Sequence, residues 1–189
     1  MRCWPRSTDG WLRLPGMPDP RGAFARYRIQ LGFAFGFGVL WFVRPTCPAL
    51  AAGAVVATAG ELLRLWAAGH LEKGREVTRS GPYRLLRHPL YVGSVLLGIG
   101  LAIASTSVPA AALIGVYLGV TIPAAIRHEE ATLSERFGGD YDAYRAGTLS
   151  SVRRGFSLRR AIANNEHRAA LGLMAAMAVL ALKARCWFH

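Results

Sequence analysis

PLYVGSVLLGIGLAIASTSVPAAALIGVYLGVTIPAAI, residues 89–126, runs for 38 residues without an Asp, Glu, Lys or Arg. As one helix it would reach roughly 57 Å, far past the ~30 Å hydrocarbon core of a bilayer. It therefore reads as two membrane spans, broken at Ser105-Thr106-Ser107-Val108-Pro109, where small polar residues and a proline favour a turn. Helices on the surface of a soluble bundle keep a polar face, and these segments have none.

An earlier pair repeats the pattern. Residues 29–43 are uncharged, with Tyr27, Arg28 and Arg44 placed to meet the two interfaces. Pro45 and Pro48 mark a turn, and 49–68 forms the next span. A last apolar stretch, 169–182, ends at Lys183. It either crosses as a fifth span, carrying Lys183 and Arg185 over, or lies in the interface. The fold expected is all-α: a polytopic membrane bundle of four core helices plus a possible fifth C-terminal one.

Charge supports this organisation. The chain has 189 residues, 52% of them hydrophobic and only 18% charged, with a net charge of +12. These proportions exclude a disordered or collagen-like chain. Three isolated cysteines, Cys3, Cys47 and Cys186, form neither a CxxC pair nor a His/Cys cluster, so no metal site and no disulfide framework is expected. Residues 1–28, 69–88 and 127–168 hold nineteen Lys and Arg, whereas the connections at 44–48 and 104–109 hold one. By the positive-inside rule, the basic segments and any pocket among them face the cytoplasm. The same asymmetry explains the charge through anionic lipid and argues against nucleic acid as a partner. Residues 1–24, rich in Pro, Gly and Arg, read as a flexible basic tail, and 151–189 as a basic linker with a C-terminal hydrophobic helix. The strong preference for Arg over Lys suits a bacterial source, which would place the chain in the inner membrane.

Several polar residues stand where the bilayer disfavours them. Glu61 and Arg64 lie three apart on one helix face, as a self-contained pair or as part of a polar pocket. Arg87-His88-Pro89 opens the third span, where proline suits a first turn and the unpaired N–H groups favour an anion. Ser80-Gly81-Pro82-Tyr83 is a turn that aims a tyrosine at the same entrance, and Tyr91 lies one turn inward. After the fourth span, Ile126, Glu130, Leu133 and Phe137 share a stripe that turns Glu130 toward the protein, with Glu129 beside it. Gly138-Gly139 ends this helix, and Asp140 is placed to cap a short one carrying Tyr141 and Tyr144. Arg64, His88 and Glu130 come from three spans and converge at the basic end.

The stretch Gly81-Pro82-Tyr83-Arg84-Leu85-Leu86-Arg87-His88-Pro89-Leu90-Tyr91-Val92-Gly93 resembles the isoprenylcysteine carboxyl methyltransferase family and the related phospholipid methyltransferases. Glu129-Glu130, Leu133, Phe137-Gly138, Tyr141 and Tyr144 continue the resemblance, and Leu63-Arg64-Leu65-Trp66-Ala67 precedes it. It covers about 60–144. It implies that 25–150 is a membrane methyltransferase domain that uses S-adenosyl-L-methionine in a cytoplasm-facing cavity. The cofactor residues it implies are Arg75, Glu76, Val77, Thr78, Tyr83, Arg87, His88, Pro89, Leu90, Tyr91 and Glu129. Glu130 and Arg127 are the catalytic candidates, Glu130 as a base for an amine acceptor and Arg127 as a substitute for a substrate-contacting arginine that the eukaryotic members place at Ala125. No Gly-rich strand-to-helix loop is present to hold the cofactor in the manner of a soluble enzyme. The acceptor implied is lipophilic, a small molecule or a lipidated group, methylated as a carboxylate or an amine. The other reading is a non-catalytic membrane binding or assembly protein that retains the fold.

Overall fold

The computed structural model describes residues 35–72, 76–148, 150, 152 and 154–187. The expected N-terminal tail, the start of the first span and Arg75 lie outside the described residues. Within them the architecture is all-helical: α1 over 35–42, α2 Cys47–His70, a 3-10 turn Gly81–Arg84, α3 Pro89–Ser105, α4 Val108–Phe137, α5 Gly139–Arg145, α6 Leu158–Ala163 and α7 Glu166–Trp187.

The expected turn between the third and fourth spans is present. Thr106 ends α3 in the left-handed region at φ 45°, and the Ser107 hydroxyl accepts from the Ala110 amide to start α4. Three helices are long and apolar enough to cross a membrane, over Cys47–His70, Val108–Phe137 and Glu166–Ala184, while Pro89–Ser105 is a shorter apolar helix. Their outward faces are greasy, with Trp41, Val55, Val116 and Leu182 exposed. α4 is 30 residues long, about 45 Å as helix, so it outreaches a ~30 Å hydrocarbon core. Its excess carries Glu129, Glu130 and Arg136 past the basic end of the bundle. Gly138, at φ 47°, closes α4. Asp140 lies in the first turn of α5 instead of capping it; Gly138 takes the cap position. The carboxylate there still favours the helix N-terminus through its dipole.

α2 and α3 pack antiparallel with their backbones almost touching. Gly53, Ala57 and Gly60 on α2 face Gly93, Gly100 and Ala104 on α3. A Cβ at Gly60 would stand 2.7 Å from the Gly93 carbonyl oxygen, and one at Gly100 would stand 2.5 Å from the Ala57 amide nitrogen. Where lipid removes the hydrophobic drive for helix association, such close approach through small residues holds spans together.

α7 runs antiparallel to α2 and packs along the bundle as a fifth helix, long and apolar enough to cross a membrane. At the basic end Glu166 meets Arg64 of α2. At the other end Leu180 joins Val43, Ala104 and Ala110 in a buried cluster, with Met177 packed against it. Lys183 donates to the carbonyls of Leu40 and Val43. The Lys183 side chain, in the last turns of α7, thus satisfies carbonyls at the end of α1.

Candidate active site

A cavity of about 920 Å³ opens where α3, α4 and α5 meet the end of α2. It reaches from Arg136 and Tyr144 at the basic end to Tyr117 and Leu118 within α4. From Glu129 to Tyr117 is about 18 Å along the helix, so the cavity is charged at its mouth and largely apolar at its inner end.

His88 stands at the N-cap of α3 but makes no side-chain cap bond. Its ring instead leans on Tyr91, centroids 5.9 Å apart, and its Nε2 lies 3.2 Å from Glu130 Oε1. The ring nitrogen is the donor, since an ionised carboxylate only accepts. Arg87 approaches the same oxygen at 3.9 Å and donates to the Arg145 carbonyl. Glu130 therefore meets His88 and Arg87, while Arg64, the third residue expected to converge here, is held by Glu166 and Ser94. Tyr141 is buried beside this cluster, and burial and the Glu130 carboxylate push its phenol up to about 12. Tyr144 donates to the Tyr83 carbonyl at 3.2 Å. Burial, and then the Glu129 carboxylate, raise the Tyr83 phenol above its ordinary range.

The carboxylates around the cavity differ in how they are held. Glu76 is paired with Arg154 at 2.6 Å, Glu72 with Arg160 at 3.2 Å and Glu166 with Arg64 at 3.0 Å. Glu129 lines the cavity with no cation beside it among the described residues. That leaves one anionic group open to a ligand's positive charge.

Of the residues singled out in the sequence, Glu76, Val77, Thr78, Tyr83, Arg87, His88, Leu90, Tyr91 and Glu129 line this cavity. Pro89 is buried behind it at the start of α3 and does not line it. Glu130 reaches the site only through His88 and Arg87. Arg127 is exposed and does not line the cavity; two residues along a helix turn by about 200°, so it points away when Glu129 points in. Ala125 lines the cavity in its place.

Sequence reasoning missed the contribution of the C-terminal segment. Asn164 and Glu166 both line the cavity. Arg64 gives Nη2 to both Glu166 oxygens at 3.0 Å and Nη1 to the Ser94 hydroxyl at 2.5 Å, while Glu61 lies 3.7 Å from its Nε. An arginine inside a span announces that it needs a partner; which acid answers is not legible locally. Tyr117 and Thr121, polar residues in an uncharged helix, were a signal for the inner wall.

Residues 49–140, from α2 into the start of α5, match the family described as phospholipid methyltransferase. This region belongs to the phospholipid methyltransferase family. The match and the long apolar helices, two of them largely within the matched region, make the chain an integral membrane protein. The nickel-cobalt-cadmium resistance protein NccN of Alcaligenes xylosoxydans xylosoxydans is 36% identical over 94 residues, 49% of this chain and 42% of the relative. The cobalt-zinc-cadmium resistance protein CzcN of Cupriavidus metallidurans is 37% identical over 87 residues, 45% of this chain and 39% of the relative. The chain thus spans about two fifths of the length of these relatives. No solved structure matches it. The family region ends before Tyr144, Asn164 and Glu166, so part of the cavity wall comes from outside it.

Proposed function

We propose that the protein is a membrane methyltransferase that takes its methyl group from S-adenosyl-L-methionine and transfers it to a lipophilic acceptor. The observation that carries this reading is the cavity of the family region, which joins a charged mouth to an apolar interior. The residues present fit the cofactor. Glu129, with no cation beside it among the described residues, is a carboxylate for an ammonium group, and the Arg87 guanidinium has N–H donors to spare for a carboxylate. Tyr83 and Tyr91 supply flat faces for the adenosine. When bound, the cofactor supplies an electrophilic methyl on a sulfonium.

The chain's own residues then have two tasks. The first is to hold donor and acceptor in line, which brings most of the rate in a displacement that disperses charge. Leu118, Ile122 and Ala125 of α4 and Leu90 of α3 offer an apolar path for a lipid chain, and they exclude water from the reacting groups. The second task depends on the acceptor. A carboxylate attacks as it stands, whereas an ammonium must first lose a proton. His88, which lines the cavity, would take it on its other ring nitrogen as Nε2 passes its own proton to Glu130, which lies behind the ring and outside the lining. The basic end, and with it the cavity mouth, faces the cytoplasm of a bacterial inner membrane in this reading.

The second reading is a non-catalytic membrane component of a metal-resistance system, and it draws on the names of the two relatives. One experiment separates them. Purified protein in lipid vesicles is incubated with S-adenosylmethionine labelled on its methyl group, with a membrane lipid extract as the acceptor source. A labelled lipid product is expected; binding of S-adenosylhomocysteine without any transfer would favour the second reading, and absence of both would reject the first.

A further inference from the structure

Residues 150–166, which lie outside the family region, are tied across the end of α2 at several points. Arg79 donates to the Ser150 carbonyl at 3.2 Å. Arg154 holds Glu76 at 2.6 Å and stands 3.7 Å from Glu72, which Arg160 also reaches at 3.2 Å. Ser157 gives its amide to the Gly69 carbonyl, and the Asn164 side chain gives its NH₂ to the carbonyls of Ala68 and Leu71. The contacts to Gly69 and Leu71 satisfy carbonyls at the end of α2, and the Ala68 carbonyl also accepts from the Leu71 amide.

The strap's anchors are also cavity wall. Glu72, Glu76, Asn164 and Glu166 all line the cavity, and Val77 and Thr78 follow Glu76 directly along its edge. We propose that this strap completes the methyl-donor site, and that Arg154 is a positioning residue which fixes the 76–78 edge of the site through Glu76. Glu76 is then an anchor for the strap and not a ligand of the donor; its carboxylate is already taken up by the guanidinium. The inference rests on the methyltransferase reading above, because it assigns the strap's effect to the donor's affinity.

The Arg154–Glu76 pair is part-exposed, with side-chain exposures of 29% and 39%. Pairs of this kind add little to stability. Removing it should therefore shift the position of the 76–78 edge without unfolding the bundle, and this separates a positioning role from a purely structural one. The test is calorimetric binding of S-adenosylhomocysteine to the full chain in detergent micelles, with the melting temperature followed in parallel. Arg154→Ala should weaken binding about tenfold and Glu76→Gln by a similar factor, with melting temperatures close to that of the parent. The double variant should be no weaker than either single one, since both remove the same contact. Arg159→Ala removes the same charge from an exposed neighbour and should leave affinity unchanged. Unchanged affinity in Arg154→Ala, losses that multiply in the double variant, or a Glu76→Gln defect ten times larger than that of Arg154→Ala would overturn the proposal and leave the methyltransferase reading intact. Failure of the parent protein to bind the probe would overturn both.

Discussion

At the scale of single residues, the adjacent carboxylates Glu129 and Glu130 have separate surroundings. They point about 100° apart on α4; one lines the cavity with no cation beside it among the described residues, and the other is shared by His88 and Arg87. Glu129→Gln should remove a charged contact worth ~1.5–3 kcal/mol and lower S-adenosylhomocysteine affinity about ten- to hundredfold by calorimetry. Glu130→Gln should keep that affinity within about threefold and lower turnover, as loss of the carboxylate behind His88 does; equal defects in the two would show that they share one role. Tyr141 carries a pH signature. Its phenol is held protonated up to about 12 by burial and by Glu130, against about 10 in an unfolded chain. A group with a raised folded pKa contributes stability that is complete below the unfolded value and is lost as pH climbs through the folded one. Melting temperature should therefore fall between about pH 10 and 12, and Tyr141→Phe should flatten part of that fall. An identical alkaline profile in the variant would mean that Tyr141 is not the group responsible.

The element scale is governed by the approach of α2 and α3. Gly60→Ala would place a methyl 2.7 Å from the Gly93 carbonyl oxygen and 2.9 Å from the Leu96 Cβ. Backbone cannot rotate out of the way, so the helices must separate, at about 1–3 kcal/mol by analogy with overpacked cores. The variant should melt several degrees lower in detergent than the parent. Gly115→Ala, where a Cβ meets nothing within 4 Å, should leave the melting temperature unchanged or raise it, because alanine favours a helix. The same contact bears on the site, since Arg64 lies on α2 one turn beyond Gly60 and Ser94 on α3 follows Gly93. A loss of stability in the Gly115 variant as large as in the Gly60 variant would show that the interface is not the cause.

Across the whole molecule, α7 carries Lys183 to the end opposite the cavity. With the basic end cytoplasmic, a probe cysteine at Thr106 should react with an impermeant reagent in sealed cells and one at Ser150 should be protected. The native Cys47, exposed at the start of α2, lies on the same side as Thr106 and would be replaced beforehand. Labelling at Ser150 with protection at Thr106 would reverse the orientation.

The spans, the turns at Pro45–Pro48 and at Ser105–Pro109, and the clustering of His88, Tyr91 and Glu129 were legible in the sequence. The absence of charge over a bilayer's thickness is a local property, and helical spacing orients neighbouring side chains. The sequence likewise made Arg64 conspicuous, with Glu61 three residues away either as its pair or as part of a polar pocket. Only the tertiary structure decided that Glu166, 102 residues further along, takes the guanidinium through both oxygens. The same holds for Arg154 on Glu76, and for Arg127 turning out of the site while Ala125 lines it. Counter-charges chosen across helices depend on which spans pack together. That is set by the small-residue contact of α2 with α3 and by the return of α7, and no spacing within one segment encodes either.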